Sequence, residues 1–282
     1  MNSVFTALPV DARREQRLAY RDFLASRDGT VDIERRTLSR REESMRRYLA
    51  PAANSREIDR SLFDEQYAHY DPRRKMSREM LLLLALVKIN AAEAYGVERM
   101  LEPLMARVVR EPDDLELILT IEEDYHTKIL LSASGLYGLT IAAPYRPRAS
   151  LRALIGAIAI VSHRMSRPIV LVAELLGTIY FLDLLRVARE VLRDLPVVRD
   201  AVEERLTDVL IDEIGHVSFN RLCLGSMGLM QARVLCPLVA AGLGDVVPEL
   251  RTLGLTLGAD IDLPLHRRRE LPEQVRRHAF FA

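Results

Sequence analysis

Two short segments of this chain carry the side chains best suited to chemistry: Glu123-Asp124-Tyr125-His126 and Glu213-Ile214-Gly215-His216. On a helix, positions i and i+3 share a face, so each Glu-x-x-His aims a carboxylate oxygen and an imidazole nitrogen at one point. One such motif is common by chance in a helical protein; two, each in an otherwise apolar stretch, are much less so. Each follows an acid directly, Glu122 and Asp212, and each has a carboxylate upstream among apolar residues. Glu93, in NAAEAY, lies 30 residues before Glu123; Glu174, in LVAELLGTIYFL, lies 39 before Glu213. Four carboxylates brought together in an apolar interior would repel one another and lose hydration, at several kcal/mol each. Two divalent cations would balance the four charges and leave the imidazoles neutral. The expected ligands are therefore Glu93, Glu123, His126, Glu174, Glu213 and His216. Oxygen-rich donors with one imidazole per ion suit iron or manganese better than a closed structural zinc site, although affinity order alone would favour zinc. Two rivals remain. Asp183 is 30 residues before Glu213 but nine after Glu174, on roughly the opposite helix face, so only one of the two can be a ligand. Glu98 is five residues past Glu93, beside Arg99, and reads as solvated.

These residues need long helices to position them. Ser77-x-x-Met80 opens an apolar pattern that predicts a helix over 77–110, kinked at Pro103. Pro112-Asp113-Asp114 is a start signal for a second helix reaching about 134. Further helices are expected over 149–166, 168–194, 198–224 and 228–242, with a connection at 139–148 that holds Pro144 and Pro147. No stretch alternates with period two between turn dipeptides, so the fold class is all-α. Residues 1–75 hold 16 basic and 13 acidic side chains with scattered apolar anchors (Leu18, Phe23, Met45, Tyr48, Leu62) and predict an arginine-rich extension of short surface helices. Residues 76–245 form the metal-binding bundle, and 246–282 an irregular tail. The arginines of both ends read as solvated faces or contacts within a homodimer.

Forty basic and forty acidic side chains cancel, which argues against nucleic acid or an anionic membrane as the main partner. Met80–Val87 is too short to span a bilayer, and Glu174 and Asp183 interrupt the apolar run 169–185, so no membrane span is expected. Cys223 and Cys236 are too few for a disulfide framework and fit a reducing cytoplasm. His163 reads as structural, and His69, His266 and His278 as exposed.

The doubled Glu…(Asp/Glu)-Glu-x-x-His pattern from Glu93 to His216 resembles the ferritin-like di-iron carboxylate superfamily. Asp212-Glu213-Ile-Gly-His216 is similar to the motif helix of its O2-activating members, the aldehyde-deformylating oxygenases and the arylamine N-oxygenases of natural-product pathways. The resemblance implies a ferritin-like four-helix bundle core with additional terminal helices. It assigns Glu93, Glu123 and His126 to one iron and Glu174, Glu213 and His216 to the other, with Glu123 and Glu213 able to bridge. It makes Glu122 and Asp212 the acids that orient His216 and His126, and it places Thr178, one turn after Glu174, near an oxygen pocket. Two departures narrow the chemistry. Leu130 stands where ribonucleotide reductases carry a radical tyrosine, and Val209 where the N-oxygenases have an additional histidine. The implied activity is a di-iron oxygenase, with manganese as the alternative metal. It would act on a small organic metabolite by hydroxylation, N-oxygenation or oxidative cleavage. With no flavin or nicotinamide fingerprint, electrons would come from an external reductase or a ferredoxin-type donor. The apolar lining is expected from Leu86, Ile89, Leu119, Leu175, Tyr180 and Phe181. The competing class is an iron-handling or peroxide-reducing protein of ferritin or rubrerythrin type, but the chain is longer than storage subunits and has no Cys-x-x-Cys module.

Overall fold

The computed structural model describes residues 3–32, 35, 37–50, 56–108, 115–160, 163–256 and 271–282, without the side chains of 100–108, 159–160, 163–164 and 243–245. The expectations for Pro112-Asp113-Asp114 and His266 lie outside the described residues, as does the His163 side chain.

The chain is mostly helical, as its patterning requires. The elements are α1 (Val10–Asp28), a two-residue-strand hairpin β1 (Val31–Asp32) and β2 (Thr37–Leu38), then α2 (Arg41–Leu49), α3 (Arg60–Ala68), α4 (Arg78–Lys88) and α5 (Ala91–Val108). They continue with α6 (Leu115–Ser132), a 3₁₀ turn (Ala133–Tyr137), α7 (Ala149–Ile160), α8 (His163–Val191) and α9 (Pro196–Cys223). The last are α10 (Ser226–Val246), α11 (Pro248–Thr252) and α12 (Glu273–His278). The only sheet among the described residues is the antiparallel hairpin, pairing Val31 with Leu38 and Asp32 with Thr37.

The single helix expected over 77–110 is two. The Ser77 hydroxyl caps α4 by accepting from the Met80 amide at 3.1 Å, but the helix ends at Lys88 and restarts at Ala91. Asn90 sits in the break and ties it to α6, its amide donating to Thr127 Oγ1 at 2.9 Å. The expected division at Pro168 also moves. α8 begins at His163 and runs through Pro168. So near a helix N-terminus the missing N–H forfeits a single backbone bond, and the helix survives.

α9 is the axis of the molecule. It starts with Pro196 in its first turn and is buried continuously from Val209 to Leu222. A four-residue turn folds α8 back onto it, α6 and α1 also lie against it, and α5 packs on α6. Two stretches, Arg78–Arg99 and Met165–Val191, are apolar and long enough to cross a membrane, yet more than half of each is buried inside the fold. They serve as core helices here. Met45 and Tyr48 are buried anchors of the N-terminal segment, joined by Tyr20 and Leu24, whereas Leu18 is half exposed. The tail is less irregular than expected: α11 and α12 are helical, and Arg221 and Ser218 of α9 donate to the carbonyls of Ala282 (2.5 Å) and Phe280 (3.2 Å).

Lys88, at the end of α4, is buried. Its ammonium donates to Glu249 Oε1 at 2.7 Å and to the Gln66 carbonyl at 2.8 Å, and it lies 4.6 Å from the centre of the Tyr145 ring. Burial lowers its pKa, and Glu249 opposes that shift. Lys88→Ala would leave Glu249 buried and unpaired, so it is expected to cost about 3–5 kcal/mol in urea unfolding. Adding Glu249→Leu should recover much of the loss; no recovery would mean that the pair is not what the lysine contributes.

Candidate metal centre

Four helices each bring part of one site: Glu93 from α5, Glu123 and His126 from α6, Glu174 from α8, Glu213 and His216 from α9. One group, Glu123, His126, Glu213 and His216, is buried with its ligand atoms within 4.8 Å of one another; Glu93, Glu174 and Glu213 form a second such group, sharing Glu213. All six expected ligands therefore meet. Glu123 lies between the two imidazoles, with Oε2 3.2 Å from His126 Nδ1 and Oε1 2.6 Å from His216 Nδ1. Glu213 Oε1 is 3.1 Å from His126 Nδ1, so each motif glutamate reaches the other motif's histidine. The rings stack at 5.4 Å. The two rivals stand elsewhere: Glu98 is exposed and pairs with Arg146 at 3.6 Å, and Asp183 pairs with Arg186 at 2.8 Å.

The outward nitrogens are held crosswise. His126 Nε2 is 3.1 Å from Asp212 Oδ2, and His216 Nε2 is 3.0 Å from Glu122 Oε2. Each acid thus holds the histidine of the other motif, which fixes the ring with Nε2 outward and Nδ1 turned toward the central carboxylates. The two halves differ beyond that. Asp212 receives Arg27 Nε and Arg41 Nη2, and the same arginines bind Asp208 Oδ1 at 2.7 and 3.3 Å. Burial opposes ionisation of Asp212, but the two guanidiniums hold its carboxyl well below the usual range. Glu122 instead faces Asp28, whose pKa is pushed up to about 9 by burial and the charges of Glu122 and Asp212, against the opposing pull of Arg41 3.6 Å away. Tyr20 packs over Gly215, where a Cβ would lie 3.1 Å from its ring, so a larger residue between the motif residues would have to push the ring back by a few tenths of an ångström.

Arg27, Arg41, Asp28, Asp208, Tyr20 and Asn90 had no sequence signal of their own. The arginines expected on solvated faces include Arg41, which is buried, and Arg27, which is partly buried, both paired with Asp212. Thr178 is buried and its hydroxyl donates to the Glu174 carbonyl at 2.8 Å, as back-bonded helix residues do.

The donor chemistry fits cations. Glu93 Oε2, Glu174 Oε2 and Glu213 Oε2 are buried and accept no hydrogen bond, an arrangement that costs free energy unless a cation faces them. The protein is short of positive charge at this point. Burial and neighbouring carboxylates raise Glu93, and raise Glu213 to about 8. Both histidines are raised despite burial, because Glu123 faces them. Glu123 is the exception: burial would raise it, but the two imidazoles bring it down to about 2. Without metal, protons take the place of the cations.

A pocket of about 250 Å³ opens on Glu93, Glu123 and Glu174, walled by apolar side chains including Leu119, Ile155, Ile169, Val170 and Phe219. Its polar wall is Thr120, Ser166 and Arg167, whose guanidinium binds Glu116 and donates to Asn220 Oδ1 at 3.2 Å. Of the expected lining, Leu119 is here. Ile89, Tyr180 and Phe181 line a crevice of about 30 Å³ that also touches Glu93, while Leu86 and Leu175 belong to the core. Comparison with protein-family models, with curated proteins and with solved structures finds no match.

Proposed function

We propose that the protein is a non-haem di-iron oxygenase that uses O2 to oxidise a small organic metabolite, on a ferritin-like core formed by α5, α6, α8 and α9. The observation that carries the reading is the meeting of four glutamates and two histidines, with carboxylate oxygens lacking donors, at the end of an apolar pocket. Iron ions held there would supply the electrons that activate O2. Glu93, Glu123 and His126 would hold one ion and Glu174, Glu213 and His216 the other, with Glu123 and Glu213 placed between them. Manganese is the alternative metal. Asp212 and Glu122 keep a proton on each Nε2 so that Nδ1 stays free to ligate. The pocket's apolar wall excludes water and lays the substrate beside Glu93, Glu123 and Glu174. That wall favours an organic substrate over iron storage or peroxide reduction. The electrons come from an external reductase or ferredoxin-type protein, in a reducing cytoplasm.

Elemental analysis of anaerobically iron-loaded protein, followed by optical spectroscopy on exposure to O2, tests the reading. About two irons per chain and a transient visible band are expected. Stoichiometric iron without a transient would favour storage or peroxide chemistry, and absence of stoichiometric metal would remove the reading altogether.

A further inference from the structure

The N-terminal helix carries a second surface that the metal site leaves unexplained. A groove of about 430 Å³ runs between α1 and the end of α9, lined by Arg13, Arg14, Arg17 and Arg21 over a floor of Leu222 and Cys223. No acidic side chain lines it among the described residues. In a chain of zero formal net charge, four guanidiniums on one groove make a local positive field, offset in part by Asp22, 4.0 Å from Arg21. Arg14, Arg17 and Arg21 are exposed, and Val10 and Leu18 stand among them at 70% and 50% exposure, as apolar anchors beside charge. From Arg13 to Arg21 the charges extend about 12 Å along the helix, a spacing suited to a row of acidic side chains more than to one small anion.

What lies beneath gives the groove a direction. The Arg17 guanidinium is 5.9 Å from the centre of the Phe219 ring, and Phe219 stacks on Tyr20 at 5.5 Å. Tyr20 in turn packs on Gly215, the residue before His216. Packed aromatic rings therefore connect Arg17, on the wall of the basic groove, to the residue beside a candidate ligand.

We propose that this groove docks the acidic face of a one-electron carrier protein, which delivers electrons to the metal centre through Phe219 and Tyr20. The identity of the partner rests on the proposed function. The donor loses one electron per encounter, and two encounters supply the pair that takes two trivalent ions to the divalent state. Arg13 anchors the helix, donating to the Leu224 carbonyl at 3.2 Å, while Arg14, Arg17 and Arg21 meet the partner.

The test is calorimetric titration of the full chain, metal-loaded and metal-free, with a plant-type ferredoxin, an acidic one-electron iron–sulfur protein. One-to-one binding is expected, weakening from low to physiological salt. Combined Arg14→Glu, Arg17→Glu and Arg21→Glu should weaken it at least about tenfold, with Arg193→Glu, an exposed arginine outside the groove, as the unaffected control. Circular dichroism of each variant establishes that it folds. No binding by the unmodified chain, or equal binding by the triple variant, overturns the proposal. So does stoichiometric uptake of dodecanoate or inorganic phosphate that the triple variant abolishes while ferredoxin binding persists. Arginine-dependent binding by a chain that holds no stoichiometric metal would leave the docking surface standing and remove the oxygenase reading. Two irons and O2 reactivity with charge-insensitive binding would do the reverse.

Discussion

Asp212→Ala is expected to destabilise the metal-free protein by about 3–5 kcal/mol in urea unfolding, because it leaves Arg27 and Arg41 in the interior without the carboxylate between them. The size follows from the asymmetry of buried ion pairs: a complete pair contributes little net stability, whereas half a pair is an uncompensated charge. Asp208 stays close to both arginines and would recover part of the loss. A measured cost under about 1 kcal/mol would mean that Asp208, with Asp28 3.6 Å from Arg41, suffices. Combining Asp212→Leu with Arg27→Met and Arg41→Met should return much of the stability, since a well-packed apolar trio has no charge to solvate. Metal binding should not return with it. His126 would still lack the acceptor that orients its ring, and loss of such a partner typically weakens binding about 10- to 100-fold. The separation of those two outcomes in one variant series distinguishes a carboxylate that only holds the fold from one that also sets a ligand.

Metal-free and metal-loaded protein are expected to respond to pH in opposite directions. In the metal-free fold, burial and neighbouring carboxylates raise Glu213 to about 8 and raise Glu93, and both histidines are raised because Glu123 faces them. Between the ordinary carboxylate range and pH 8 the native state then holds more protons than the unfolded chain. Stability must fall as pH rises through that window. Glu123 and Asp212, whose values are lowered, act the other way, but only at acid pH, where the unfolded chain begins to protonate. Metal ions must displace the protons on Glu93, Glu213, His126 and His216, so affinity rises with pH. Loading at neutral pH should release between about two and about four protons per chain, read by calorimetry in buffers of different ionisation enthalpy. The melting temperature of the metal-free protein should drop from pH 5.5 to 8, while the increment from metal grows. A metal-free protein whose melting temperature climbs over that range would show that the carboxylates are ionised and the site is open to water.

The six candidate ligands were legible because helical spacing makes Glu-x-x-His a directional motif and because acids in apolar stretches need a reason. Helix face alone said that Glu174 and Asp183 could not both be ligands, but not which; the structure turns Glu98 and Asp183 to Arg146 and Arg186 instead. The pairing of Glu122 with His216 and of Asp212 with His126 came only with the resemblance; the sequence does not say which helix faces which. Arg27 and Arg41 were not legible at all. In a chain with 37 arginines, nothing local marks those two as the partners of Asp212. Their burial depends on α1 and α2 lying against α9 and α6, a long-range fact. The break at Ile89–Asn90 escaped for a similar reason, since the Asn90 side chain bonds across to α6, and helix patterning reads only along one element. Pro168 misled in the other direction, because its effect depends on how far it lies from a helix start that the sequence did not mark.

The reach of Arg27 to Asp212 has a consequence for how the protein comes into being. The two residues are separated by 185 positions, and Arg41 and Asp212 by 171. During synthesis both arginines leave the ribosome long before Asp212 and wait until α9 has followed. Until α9 arrives, neither guanidinium has its carboxylate and neither Glu-x-x-His motif has its counterpart. Completion of the glutamate–histidine cluster is therefore a late event, after translation has passed His216.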